Sequence, residues 1–174
     1  ASLGEMLQNL KKLNINIPDG FIITAFGFDK FINNNNLKSK INKIIKSINV
    51  DNTIELKNNN EKIKNLIISS QFPEELKNNI IDYYIKLSEK YNTNNLSVAV
   101  RSSGTSEDMP DASFAGQQDT YLNVKGVEDL LEKVKYCFAS LYNDRAISYR
   151  KAMNYHNKVI KLSVCIQKMI RSDL

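Results

Sequence analysis

The chain has only two cysteines, a single histidine and no long apolar run in its 174 residues. Its longest apolar stretches, "GFIITAFGF" and "NLSVAV", fall well short of the roughly 18 residues a membrane span requires. No secretory signal is visible either, so a soluble, cytoplasmic protein is expected, with no membrane partner. Cys137 in "KYCFASL" and Cys165 in "LSVCIQKM" lie far apart, within apolar patterns and without metal-ligand spacing. They read as buried reduced thiols rather than a disulfide. The phosphate-binding patterns GxxxxGK[ST] and GxGxxG are both absent, and no internal repeat is present. The net charge of +5 does not mark a nucleic-acid footprint, because the lysines are scattered among Glu and Asp along helical segments. A solvated helical surface is the expectation.

What the chain does have is an ordinary globular composition, 42% hydrophobic and 25% charged, enough for one domain with a sizeable core. Leu3, Met6, Leu7, Leu10 and Leu13 recur at helical spacing over Ser2 to Leu13, and Pro18 and Gly20 then break the pattern. "GFIIT" reads as a short buried strand and "AFGFDKFI" as the start of a helix. Of the 23 asparagines, 19 lie in the first 95 residues. They are interleaved with periodic Ile and Leu in "LKSKINKIIKSI", "EKIKNLIIS" and "PEELKNNIIDYYIKLSEKY". That periodicity predicts three amphipathic helices forming a cap or insert over about residues 33–95. Pro73 fits the first turn of the last one, with Glu74 and Glu75 near its positive dipole end.

After Leu96 the texture changes. "LSVAVRSS", "DTYLNV" and "VIKLSVCIQKMI" read as strands, and the segment between the last two as two helices. The whole predicts an α+β fold, a mixed sheet flanked by helices. The chain begins inside a helical pattern and stops directly after a strand, so a piece of something longer is expected.

One stretch abandons apolar periodicity: "RSSGTSEDMPDASFAGQQDTYLNV", from Arg101 to Val124. Arg101 is placed at the end of an apolar strand, where a guanidinium offers a fixed fork of donors matching phosphate oxygens. Ser102, Ser103, Gly104, Thr105 and Ser106, then Ser113, Ala115 and Gly116, are small enough for backbone amides to approach an anion. Two readings stay open on composition alone, a surface loop with an exposed arginine and a phosphate loop.

"AVRSSGTSEDMPDASFAGQQDTYLNV", followed by "FASLYNDRAISYR" and "QKMIRSDL", resembles the N-terminal nucleotide-binding region of phosphoenolpyruvate synthase, pyruvate phosphate dikinase and rifampicin phosphotransferase. The opening "ASLGEML...INIPDGFIIT" is similar to the start of the same region, and only the Asn-rich middle, Asn33 to Asn95, is unrecognisable as part of it. "DMPDASFAGQQ", "NDRAISYR" and "RSDL" look most like the synthase branch. The resemblance implies the first subdomain of an ATP-grasp-like fold, in which two α+β subdomains clamp ATP. In such enzymes ATP phosphorylates a histidine on a separate domain, which carries the phosphate to pyruvate. The alternatives are a rifampicin phosphotransferase-like enzyme or a non-catalytic nucleotide-binding module. By motif match, Arg101 would bind phosphates and act in catalysis, and Gly116 and Thr120 would line the triphosphate. Gln167 would meet the adenine end, with Met169 beside it at the hinge between subdomains. The implied cofactors are ATP and Mg2+, the implied partners the second ATP-grasp subdomain and the phosphohistidine domain of the same full-length chain.

Gly104 stands where the family usually has Ala. The phosphate-contacting lysine of the family would precede Ala1, and the magnesium ligands would follow Leu174, so the isolated fragment is expected to be inactive. His156, in the polar turn "NYHNK", reads as an ordinary turn histidine. Glu107, Asp108 and Asp111 read as loop carboxylates rather than metal ligands. Arg145 and Arg150, on one helix begun by Asp144, read as structural support.

Overall fold

The computed structural model describes residues 17–49, 52–104, 119–152 and 162–170. Strand β1 (Gly20–Ile23) leads into helices α1 (Ala25–Asn34), α2 (Leu37–Ser47), α3 (Thr53–Ser69) and α4 (Glu74–Lys90). Then come β2 (Val98–Gly104), β3 (Thr120–Val124), α5 (Val127–Ser140), α6 (Asp144–Ala152) and β4 (Leu162–Lys168). The α+β class is therefore as expected; the helix expected over Ser2 to Leu13 lies outside the described residues. Among the described residues no helix is long and apolar enough to cross a membrane.

The described strands form one sheet in the order β1-β4-β2-β3. All three pairings are antiparallel, which corrects the expectation of a mixed sheet. The reason is connectivity: β4, last in sequence, slots between β1 and β2 and runs against both. Gly20 is required where β1 meets β4, because a Cβ there would stand 2.2 Å from the Ile166 carbonyl oxygen.

The period of two divides the side chains of each strand between two faces. One face is covered by helices. Val98, Val100, Val164 and Ile166 are fully buried there, against Phe28, Phe31 and Phe138. Phe28 meets Phe138 edge-on with centroids 5.1 Å apart, and Phe31 lies 5.2 Å from the same ring. The Asn-rich region belongs to this core, since Ile41, Ile45, Ile63, Ile67, Ile80 and Tyr84 pack into it while the asparagines occupy other faces of the helices. Helix α3 begins at Thr53, eight residues before the expected segment. Asn52 caps it, its side chain accepting from the Glu55 amide at 3.1 Å.

Tyr84 ties the layers together from within. Its hydroxyl donates to the Leu96 carbonyl at 2.9 Å, just before β2, and accepts from the Gly126 amide at 2.8 Å, just before α5. Gly126 has φ +84°, a conformation side chains rarely adopt. The Asn143 side chain caps α6 through the Ala146 amide, and Asn60 of α3 donates to Asp144.

Candidate functional site

Arg101 lies within β2, not at its end. The ladder with β4 continues to Gly104, while that with β3 ends at Arg101: Arg101 sits directly opposite Thr120 of β3 and Cys165 of β4, and Ser103 pairs with Ser163. Ser102 and Ser103 are thus strand residues, as the reading of "LSVAVRSS" as a strand expects, and the run of small residues begins inside the sheet. Their roles split with the pleat. Ser102 is buried toward the helices, where its hydroxyl donates to the Asp119 carbonyl, while Ser103 is exposed on the opposite face.

That opposite face carries three of the five expected site residues. Directly paired residues of antiparallel strands share a face, so Arg101 and Thr120 stand side by side, and both are exposed. Gln167 pairs with Ala99 and lies two residues beyond Cys165, on the same face. Strand spacing then puts the Arg101 and Gln167 Cα atoms roughly 8 Å apart. Among the described residues, no hydrogen bond or ion pair engages the Arg101 guanidinium. Burial pushes the Cys165 thiol up, with neighbouring Arg101 pulling it part of the way back.

The far end of β4 is more heavily tied. The Gln167 side-chain amide donates to the Pro18 carbonyl at 3.3 Å. The Lys168 amide donates to the Asp19 carbonyl at 2.8 Å, and the Met169 amide to the Ser97 carbonyl at 2.9 Å. The Asp19 carboxylate accepts from the Lys90 ammonium at 2.6 Å and from the Tyr91 hydroxyl at 2.5 Å. That shared carboxylate raises both the Lys90 and the Tyr91 pKa. The Lys168 ammonium lies 4.0 Å from the Tyr91 ring centroid. Sequence reading missed this cluster. Asp19 and Tyr91 are 72 positions apart, and no local pattern pairs them.

The structure therefore brings Arg101, Thr120 and Gln167 onto one face and places Met169 directly after β4. Gly116, Glu107, Asp108, Asp111 and His156 lie outside the described residues. Arg145 and Arg150 both fall on α6, as expected, with the Arg145 side chain exposed. Cys137 and Cys165 are both buried free thiols.

Residues 1–174, the whole chain, match the family described as pyruvate phosphate dikinase, AMP/ATP-binding domain. Curated relatives agree along the full length. The chain is 49% identical to a phosphoenolpyruvate synthase of Aquifex aeolicus over 174 residues, 100% of this chain and 20% of that protein. It is 45% identical to a phosphoenolpyruvate synthase of Escherichia coli, covering 100% of this chain and 22% of the relative. A phosphoenolpyruvate synthase of Helicobacter pylori is 44% identical over 99% of this chain and 21% of its own length. The chain thus spans about a fifth of the length of these relatives. On a match that runs from its first residue to its last, the chain belongs to the pyruvate phosphate dikinase AMP/ATP-binding domain family.

Proposed function

We propose that this chain is the ATP-binding part of a phosphoenolpyruvate synthase-like phosphotransferase. In this reading residues 1–174 are the first subdomain of an ATP-grasp-like domain, elaborated by the helical region of about residues 33–95. A second subdomain of the full-length chain would close over the nucleotide. ATP would phosphorylate a histidine on a further domain, and that phosphate would pass to pyruvate, so that ATP, pyruvate and water give AMP, phosphoenolpyruvate and phosphate. The full-length match to an AMP/ATP-binding family is the observation that carries this reading. The name shared by the relatives supports pyruvate over an antibiotic as the acceptor.

Each residue has a chemical part. The Arg101 fork would hold two phosphate oxygens at once, and the Thr120 hydroxyl, beside it across the ladder, could donate to a third. Because neither is needed by the core, both are free to meet a charged ligand. Gly116 would let backbone approach the triphosphate, and Gln167 and Met169 would meet the base. The described residues do not fit a magnesium site: no three His, Cys, Asp or Glu side chains gather there.

The test is product analysis of the full-length protein supplied with ATP, magnesium and pyruvate. Formation of AMP, phosphate and phosphoenolpyruvate in equal amounts is expected. Release of ADP instead, or no pyruvate-dependent turnover, would overturn the reading.

A further inference from the structure

Gln167 is the one expected base-facing residue whose side chain already has a partner inside the fold, and the identity of that partner has consequences. Pro18 offers a carbonyl oxygen, which can only accept. The prong of the Gln167 amide that faces it must therefore be the nitrogen. The carbonyl oxygen is then the other prong. Among the described residues it accepts no hydrogen bond, and it is not among the buried side-chain atoms left unpaired, so it is open to solvent or a ligand.

The Pro18–Asp19 segment that sets this orientation is itself held from several sides. The Asp19 carbonyl receives the Lys168 amide, and the Asp19 carboxylate receives Lys90 and Tyr91 from the end of α4. Lys168, over the Tyr91 ring, closes the circuit back to β4. We propose that the Pro18–Asp19 segment, anchored by Tyr91 and Lys90, locks the Gln167 amide with its carbonyl oxygen outward, so that the site selects a base bearing an amino group over one bearing a carbonyl there. This rests on the ATP-binding reading above and adds a means of base selection to it. Asp19, Tyr91 and Lys90 are positioning residues, acting through Gln167. Without the anchor the amide can rotate by half a turn and offer its nitrogen instead, which would serve a carbonyl-bearing base.

The probes are ATP and ITP, whose bases differ in carrying an amino group or a carbonyl at the same ring position. In the full-length enzyme, wild type should favour ATP over ITP in kcat/KM. Tyr91→Phe keeps the ring under Lys168 and removes only the hydroxyl. It should raise the ATP KM about three- to tenfold, the scale of one hydrogen bond, with kcat unchanged, and narrow the ATP to ITP ratio by a similar factor. Asp19→Ala should do the same or more, while Asp19→Asn, which can still accept from Tyr91, should recover most of the preference. Gln167→Met should abolish the preference altogether. A preference unchanged in Tyr91→Phe and Asp19→Ala, with ATP still turned over, would overturn the lock alone. A preference that survives Gln167→Met would overturn Gln167 as the reader of the base. Failure of the wild-type enzyme to turn over ATP at all would bring down the ATP-binding reading and the lock together.

Discussion

The two faces of the sheet are built from alternating residues of the same four strands, yet they obey different constraints. Toward the helices, Val98, Val100, Val164 and Ile166 are fully buried against an aromatic cluster centred on Phe138. On the other side Ile22 is 50% and Leu122 60% exposed, and Arg101, Ser103 and Thr120 face solvent, although Ala99 and Cys165 are buried there too. A single pleat therefore separates residues that the core buries from residues that it leaves exposed. Arg101 stands between Val100 and Ser102 in sequence, both of which belong to the core side. Substitutions one residue apart should fall into different classes of effect.

Phe138→Ala should break the closed face most severely. Its ring is fully buried and meets Phe28, Phe31 and Phe72, so truncation should cost about 3–5 kcal/mol, read as a lowered urea midpoint. Ile22→Ser on the open face should lower the stability read from the same transition by no more than about 0.5 kcal/mol. Equal losses from the two would mean the faces do not differ as described.

Tyr84→Phe should have an intermediate effect. It retains the packing but leaves the Leu96 carbonyl and the Gly126 amide without their partner, at a cost of about 1–3 kcal/mol. An unchanged midpoint would show that the hydroxyl does not staple α4 to β2 and α5.

The smallest effect at neutral pH is a titration. Burial pushes the Cys137 thiol from 9.0 up to about 12, whereas the unfolded thiol keeps the lower value. Below pH 9 both states hold the proton and nothing changes. Between 9 and 12 the unfolded chain loses it first, so stability falls as pH rises, by about 1.4 kcal/mol for each unit in that window. Cys137→Ala should flatten this part of the stability-versus-pH curve. A slope unaltered by that substitution would mean that the thiol is not shielded.

The same division between faces governs how much was legible in the sequence. Local signals worked where the partner lay close by: the periodic Ile and Leu of α2 to α4, the alternation of Leu162, Val164 and Ile166, and the start of α6 at Asp144. They worked less well where polar residues interrupt a helix. Asn58, Asn59 and Asn60 masked the first turns of α3, although Asn52 and Glu55 carry the capping signal. Ser102 and Ser103 resemble loop residues in composition, but their pairing with Val164 and Ser163 of β4 holds them extended. The antiparallel sense of the sheet depends on pairing β4 with strands roughly 60 to 150 residues away, which no local pattern encodes. For the candidate site, motif resemblance named Arg101, Thr120 and Gln167, and pairing register then put them on one face. The anchor of Gln167 through Pro18, Asp19 and Tyr91 required three dimensions.

The central claim, that the open face holds phosphate through Arg101, is tested most directly by Arg101→Lys in the full-length enzyme. Lysine keeps the charge and loses the fork, so one charge-assisted hydrogen bond of about 1.5–3 kcal/mol should disappear, a roughly ten- to hundredfold fall in ATP-dependent kcat/KM. The unfolding midpoint should stay where it is, because the side chain is exposed. Wild-type kinetics in the variant, or a domain that no longer folds, would contradict the account and make Arg101 a structural residue.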